Sequence, residues 1–355
     1  MKFAVGYQLG GEYGESFVDL VRDYREHLAE IYFPWVNAPS GRASLSESRG
    51  LTDWTAQAAL ERDLHACREM GLKLDLLLNA NCYGGKAVSR HLENQVGSLL
   101  AHLQDAIGGV DAVTTASLAI ARTVKHHFPQ IDVRASVNMR IGTPQAMQYV
   151  AGLFDSYCVQ RDVQRHLPTV RRLRRWADAH GKRLCLLANS GCLRCCPGQT
   201  FHDNMVAHEI EIDETVNIPD WTPHVCWNLY RQRQNWPAVL QATWIRPEDV
   251  DRYEGLAEVM KLATRMHANP RLVIHAYASR RYRGNLLDLF EPGFGPAFAP
   301  HIIDSTRLPA DWFERTSSCD GTCVDCPYCA AALEQALVNT EEEGAGAETK
   351  RPSRE

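Results

Sequence analysis

Twelve of the 355 residues are cysteine, and they are unevenly spread. Cys67, Cys82, Cys158 and Cys185 are scattered; Cys192, Cys195 and Cys196 crowd together; Cys226 stands alone downstream; Cys319, Cys323, Cys326 and Cys329 close the series. In a reducing compartment clustered thiols read as metal ligands and scattered ones as core. The segment Leu187–Pro197 follows a strand-like run, and either Cys192 with Cys196 or Cys192 with Cys195 can reach one metal or cluster from a single loop. Gly191 lets the backbone pass close, and Pro197 directly after a cysteine is the arrangement of ferredoxin ligands. These thiols point to a metal or iron–sulfur role, with Cys226 the nearest further ligand and Cys195 expected as the fourth. Adjacent Cys195 and Cys196 are hard to place on one site, so Cys82 or Cys158 could replace Cys195.

The final group has the spacing C-x₃-C-x₂-C-x₂-C. Four thiolates so close suit a Cys₄ centre of their own, either zinc or Fe–S. Its first three cysteines also match the spacing of radical-SAM enzymes, but that motif belongs after a first barrel strand, and here it trails the chain. Among other chemistry-bearing residues, His202 lies six residues past Cys196, on a helix start, and Arg161 sits just past a strand. These two suit proton handling or an anionic group. Arg246 could bind an anionic substrate, although Pro247, Glu248 and Asp249 already explain it as a helix start. His208 reads as structural. The cysteines look committed to metal, leaving no evident Cys–His pair for a thiol protease.

Something must position these residues. Eight strand-like runs occur: Phe3–Tyr7, Glu30–Phe33, Lys73–Leu78, Ala112–Thr115, Asp132–Ser136, Ser156–Val159, Arg183–Leu187 and Val239–Thr243. Amphipathic stretches separate most of them, among them Asp53–Met70, Pro144–Gly152, Gln164–His180 and Asp249–Met266. That alternation predicts a (β/α)₈ TIM-barrel-like core of class α/β, over residues 1–266. An open doubly wound sheet is the rival, weakened because no Gly-x-Gly-x-x-Gly follows a strand. In a barrel the post-strand loops converge on the C-terminal face, which would bring Cys82, Arg161, Cys192 and Arg246 to one mouth. Residues 267–339 read as a Cys-rich extension and 340–355 as a disordered tail. The net charge of −5 does not indicate nucleic acid as a partner. The start of the chain is too soon polar for a secretory signal, and no run approaches a membrane span, so a cytoplasmic location is expected.

Several motifs resemble the peptidase U32 family. They are Asn189-x-Gly191-Cys192-x₃-Cys196-Pro197-x₄-His202, Trp244-Ile245-Arg246-Pro247-Glu248-Asp249 with Tyr253, Lys261-x₃-Arg265, and Tyr282-x-Gly284-Asn285-Leu286. The Cys319–Cys329 segment resembles that of a subgroup. Members are called collagenase-like peptidases. Better-understood relatives are Fe–S proteins of oxygen-independent hydroxylation, acting in ubiquinone synthesis or on RNA bases, with prephenate as implicated oxygen donor. Some act as heterodimers with a paralogous subunit. The resemblance implies a 4Fe–4S cluster on a barrel-like core. The expectation is therefore an Fe–S hydroxylase or oxidoreductase; a peptidase, a radical-SAM-type enzyme and a non-catalytic Fe–S subunit are the alternatives. The peptidase reading lacks both a His-Glu-x-x-His helix and a Gly-x-Ser-x-Gly elbow.

Overall fold

The structure, a computed structural model, describes residues 1–10, 15–36, 38–42, 45 and 52–341. Eight parallel strands close into a barrel in sequential order. They are β1 (Phe3–Gly6), β2 (Leu28–Pro34), β3 (Lys73–Leu78), β4 (Ala112–Thr115), β5 (Asp132–Ala135), β6 (Ser156–Cys158), β7 (Arg183–Leu187) and β8 (Val259–Lys261). Closure is made by β1 on β8, with Phe3 opposite Met260 and Ala4 opposite Lys261. The outer helices α1 (Phe17–Tyr24), α2 (Trp54–Glu69), α3 (Arg90–Ile107), α4 (Leu118–His127), α5 (Pro144–Tyr149) and α6 (Leu167–Ala179) follow the first six strands singly. Local chemistry starts them. The Ser16, Asp53, Ser89, Ser117 and Thr143 side chains each accept a backbone N–H of the first turn. The helix α2 then buries Ala56, Leu60, Leu64 and Cys67 along one face against the barrel.

Seven strands lie where the hydrophobic runs predict them, and the eighth does not. Val239–Thr243 is a short helix, α10 (Ala238–Gln241), and the last strand is Val259–Lys261. A brief apolar run cannot be told from a buried helical turn by periodicity. Val239 and Leu240 are buried, but in a second core. The stretch 249–266, expected as a helix, instead holds the end of a 3₁₀ helix (Pro247–Tyr253), strand β8 and the loop beyond it. Between β7 and β8 lie α7 (Gln199–Ala207), α8 (Glu209–Asp213), α9 (Val225–Tyr230) and α10. After the barrel come α11 (Pro270–Ala278), α12 (Gly295–Phe298), β9 (His301–Ile303), α13 (Trp312–Thr316), α14 (Tyr328–Ala336) and β10 (Leu337–Asn339), with β9 and β10 antiparallel. The second core joins α9 and α10 to this extension through Tyr230, Trp244, Phe290, Phe294, Phe298 and Trp312. Residues 342–355, most of the expected tail, lie outside the described residues.

The barrel interior is charged. The Arg134 guanidinium, from β5, donates to both Glu30 oxygens at 2.7 and 3.0 Å and to Asp75 at 3.2 Å. The Thr114 hydroxyl donates to Asp75 at 2.8 Å, and Lys261 Nζ sits 3.6 Å over the Tyr32 ring. Cys158 and Cys185 face each other across β6 and β7 in this layer. Cys158 is thus a barrel-interior residue, enclosed with Arg134, Lys261 and Asp75, and does not reach the Cys192 loop. Among the described residues no helix is long and apolar enough to cross a membrane.

Candidate metal centre and substrate mouth

The segment 188–258 is one long insertion at the C-terminal end of β7, and it carries every residue of the first cysteine group. Asn189 anchors it. Its buried amide donates to the Ala263 carbonyl at 3.1 Å and the Leu289 carbonyl at 2.8 Å, and accepts the Ala263 N–H at 2.6 Å. Gly191 N–H donates to the Glu291 carbonyl at 3.1 Å. A Cβ on Gly191 would stand 2.5 Å from the Pro292 carbonyl oxygen, so only glycine allows this approach. Gly191→Ala is expected to lower stability by about 1–3 kcal/mol, as overpacking does, and to displace Cys192. Chemical denaturation read beside thiol accessibility checks both effects.

Three thiols then converge. Cys192 and Cys196 lie on the loop, and α9 brings Cys226 against them where Gly198 lacks a side chain: a Cβ there would meet Val225 at 2.6 Å and lie 3.9 Å from Cys196 Sγ. Burial and then the neighbouring Cys192 push the Cys226 thiol up to about 11, with Cys196 adding to it. Cys196 is raised by burial and by Cys192. Mutual repulsion of this kind is what a bound cation relieves. Tyr230, behind them, is raised by burial and by the same three sulfurs.

Cationic side chains surround the thiols. The Arg161 guanidinium donates to Asn138 Oδ1 at 2.6 Å and points another nitrogen at Cys192 Sγ, 3.9 Å away. Arg42, half-buried, donates to Glu291 at 3.1 Å. Burial would raise the Glu291 carboxyl, but Arg42 outweighs it and holds Glu291 below the usual carboxylate range. Burial lowers Arg265, beside Arg42, to about 10, and its guanidinium donates to Ser40 at 3.2 Å. Arg140 pairs with the buried Asp203 of α7 at 3.6 Å. His202 packs edge-on to His224 with ring centroids 4.8 Å apart. Burial, then Arg42 and His224, depress His202, which favours the neutral imidazole. Five buried polar atoms around this mouth lack a hydrogen-bond partner: Asn81 Oδ1, Arg140 Nε, Arg161 Nε, His224 Nδ1 and Tyr230 Oη. Buried groups of this kind are normally paired, so their grouping here marks a site built for an occupant.

Not every expected residue joins. Cys195 is exposed, takes a left-handed backbone (φ 54°), and spends its N–H on Asp162 Oδ1 at 2.7 Å. Cys82 lies in the loop after β3, where its sulfur accepts the Gly84 N–H at 3.4 Å. Arg246 is not part of the mouth. It closes on Asp249 at 2.8 and 2.9 Å within its own 3₁₀ turn, so its charge is used where the chain starts that turn. Sequence reading did not single out Arg42, Glu291, His224 or Tyr230, which reach the site from distant segments. The only local signal was the position of His224, two residues before Cys226.

The final four cysteines line a separate cavity of about 250 Å³. Burial pushes Cys329 up to about 11; Cys323, Cys319 and Cys326 add to this, and Arg165 opposes it. Gly321 N–H points at Cys319 Sγ at 3.4 Å, and a Cβ on Gly321 would fall 2.6 Å from the Arg194 guanidinium. Arg194 belongs to the Cys192–Cys196 loop, so the two cysteine groups flank one short segment. Among the described residues no three His, Cys, Asp or Glu side chains gather as around a single metal ion.

No family model matches the chain. Over 285 residues, 78% of this chain and 81% of the other, it is 24% identical to an uncharacterized protease of Methanocaldococcus jannaschii. Its fold superposes on the U32 peptidase Mk0906 with a TM-score of 0.52 and 16% identity, covering 74% of this chain and 92% of that one. Both likenesses agree with the resemblance of the sequence motifs to the U32 peptidases, and the structural one shows a shared fold. The U32 motifs read from the sequence now have structural roles. Asn189 and Gly191 clamp the cysteine loop to the barrel exit, Lys261 enters the barrel, and Arg265 stands at its mouth. The Trp244 indole donates to the Val239 carbonyl at 2.9 Å and lies 5.5 Å from Trp312, stacked.

Proposed function

We propose that this chain is an iron–sulfur enzyme of oxygen-independent redox modification, most simply hydroxylation, of an anionic substrate. The observation that carries the reading is the meeting of Cys192, Cys196 and Cys226 beneath a ring of unpartnered buried polar atoms and arginines. A 4Fe–4S cluster takes one thiolate per iron, so its cysteines stand farther apart than the ligands of one ion. Cys192, Cys196 and Cys226 would hold the cluster; Cys195, exposed, is not counted among its ligands. When bound, the cluster would supply one-electron chemistry and an electrophilic iron.

The protein's own groups then have distinct work. Arg42, Arg161 and Arg265 bind and orient negative charge, with Asn138 fixing the Arg161 plane. The neutral His202 is suited to accept a proton from substrate or water. The walls of the second core exclude solvent behind Tyr230. The four thiols of the extension take a second centre, and its position beside Arg194 suits electron supply to the first.

Iron and acid-labile sulfide in anaerobically prepared protein test the two centres separately. Cys323→Ser/Cys326→Ser is expected to remove one centre's iron and leave the barrel cluster's absorption. This double variant is preferable to truncation before Cys319, because α14 contributes Leu333 and Ala336 to the second core. Unchanged iron in the double variant would remove the second centre from the account.

A further inference from the structure

Arg165 stands two residues before α6 and is only 7% exposed, yet among the described residues it forms no ion pair. Its guanidinium lies 5.6 Å from the centre of the Trp244 ring and 5.1 Å from that of Trp312. It donates to the Leu240 carbonyl at 3.0 Å and to the Trp244 carbonyl at 3.4 Å. Rings and carbonyls orient a cation but leave its charge unbalanced, and buried charges are normally paired. Arg165 also lines the cavity of about 250 Å³ that holds Cys319, Cys323, Cys326 and Cys329. The Leu167 N–H donates to the Ser317 carbonyl at 2.8 Å, which ties the Arg165 segment to the chain leading into Cys319.

Arg194 lines the same cavity from the Cys192–Cys196 loop, with its guanidinium carbon 2.6 Å from where a Gly321 Cβ would stand. It too forms no ion pair among the described residues. The other charged side chains on the cavity are exposed: Arg315 lies 5.1 Å from the Tyr328 ring centre, and Asp320 accepts the Thr322 N–H at 2.9 Å. Burial pushes the Arg165 guanidinium down and Arg194 adds to this, while Tyr253, Cys329 and Cys319 oppose it. We propose that Arg165, assisted by Arg194, is the counter-charge of the extension's iron–sulfur centre and raises its reduction potential. The proposal rests on the reading of these four thiols as an Fe–S centre.

A cluster on four thiolates is a net anion, and one-electron reduction makes it more negative. Its potential follows net charge, burial and hydrogen bonds at sulfur. A fixed cation beside it therefore favours the reduced form. Arg165 is walled in by Trp244 and Trp312, so solvent and salt screen it little; Arg194 is half-buried and screened more. Arginine stays protonated throughout the working range, so the effect does not titrate away. Both residues position charge and neither ligates iron.

The test is a potentiometric titration of anaerobic full-length protein followed by electron paramagnetic resonance. The signal missing from Cys323→Ser/Cys326→Ser belongs to the extension. Arg165→Met should keep wild-type iron and sulfide and lower the midpoint of that signal by about 59 mV or more, a tenfold change in the reduced-to-oxidised ratio for one electron. Arg165→Lys should recover most of the wild-type midpoint, and Arg194→Gln should lower it by less than Arg165→Met does. A purely structural role for Arg165 would cost iron or stability without moving the midpoint of the centres that remain. An extension signal whose midpoint is the same in wild type, Arg165→Met and Arg194→Gln would overturn the proposal while leaving the centre in place. If Arg165→Met does not fold, an unmoved midpoint in Arg194→Gln is enough to overturn it. No signal lost in Cys323→Ser/Cys326→Ser would instead remove the centre itself, and the proposal with it.

Discussion

Replacing Arg134 with methionine is expected to cost about 3–5 kcal/mol, because it strands buried carboxylates that no other group can neutralise equally well. Arg134 is enclosed within the barrel, and its three hydrogen bonds to Glu30 and Asp75 tie β5 to β2 and β3 across the interior. A domain's whole stability is about 5–15 kcal/mol, so much of this chain should unfold at moderate temperature in the variant. Asp75→Asn should cost less. Burial raises the Asp75 carboxyl despite Arg134, so its charged form is already disfavoured in the fold. Glu30 behaves oppositely. Burial would raise it, but Arg134 outweighs burial and lowers it. Its contribution is therefore present at neutral pH, above the ordinary glutamate value of about 4.3, and is lost as pH falls through the lower folded value. Urea unfolding of wild type and Arg134→Met at pH 7 and pH 4 checks this, and the difference between them should shrink in acid. An equal loss at both values would detach the effect from Glu30.

The second large effect concerns Cys226. It lies outside the crowded cysteine loop and yet faces Cys192 and Cys196 from α9. Cys226→Ser is expected to remove the barrel cluster's visible absorption almost completely, since a hydroxyl is a far weaker iron ligand than a thiolate. Cys195→Ser, one residue from Cys196, should leave that absorption intact, because Cys195 is turned to solvent and held by Asp162 through its backbone alone. Anaerobic absorption spectra of the two variants make the comparison. Loss of the spectrum in Cys195→Ser with retention in Cys226→Ser would reverse the ligand assignment.

These contrasts follow the boundary of what the sequence displays. The barrel was legible because parallel strands buried on both faces are near-continuous apolar runs, such as Lys73–Leu78, and the helices between them carry a clear stripe. The last strand was not. Val259–Lys261 is only three residues, flanked by apolar residues that also fit a helical period, while Val239–Thr243 carries a stronger apolar run. The loop chemistry of Cys192 and Cys196 was local and could be read directly. Arg42, Glu291 and Tyr230 came from segments far apart in the chain, joined only when the barrel and the extension pack together. Arg134 is hidden for another reason. A charged residue in a strand normally marks a solvent-facing position, and here it points into a polar barrel interior.

The central claim is a cluster held by Cys192, Cys196 and Cys226, and iron per chain tests it most directly. Anaerobically purified wild-type protein and the triple variant Cys192→Ala/Cys196→Ala/Cys226→Ala should be compared for iron, acid-labile sulfide and near-visible absorption, with circular dichroism to confirm that both are folded. The wild type should be brown and carry both centres. The triple variant should lose one cluster's iron and sulfide while keeping those of the extension's four cysteines. A folded triple variant with the same iron and sulfide as wild type, or a wild-type protein that binds neither, would contradict the account.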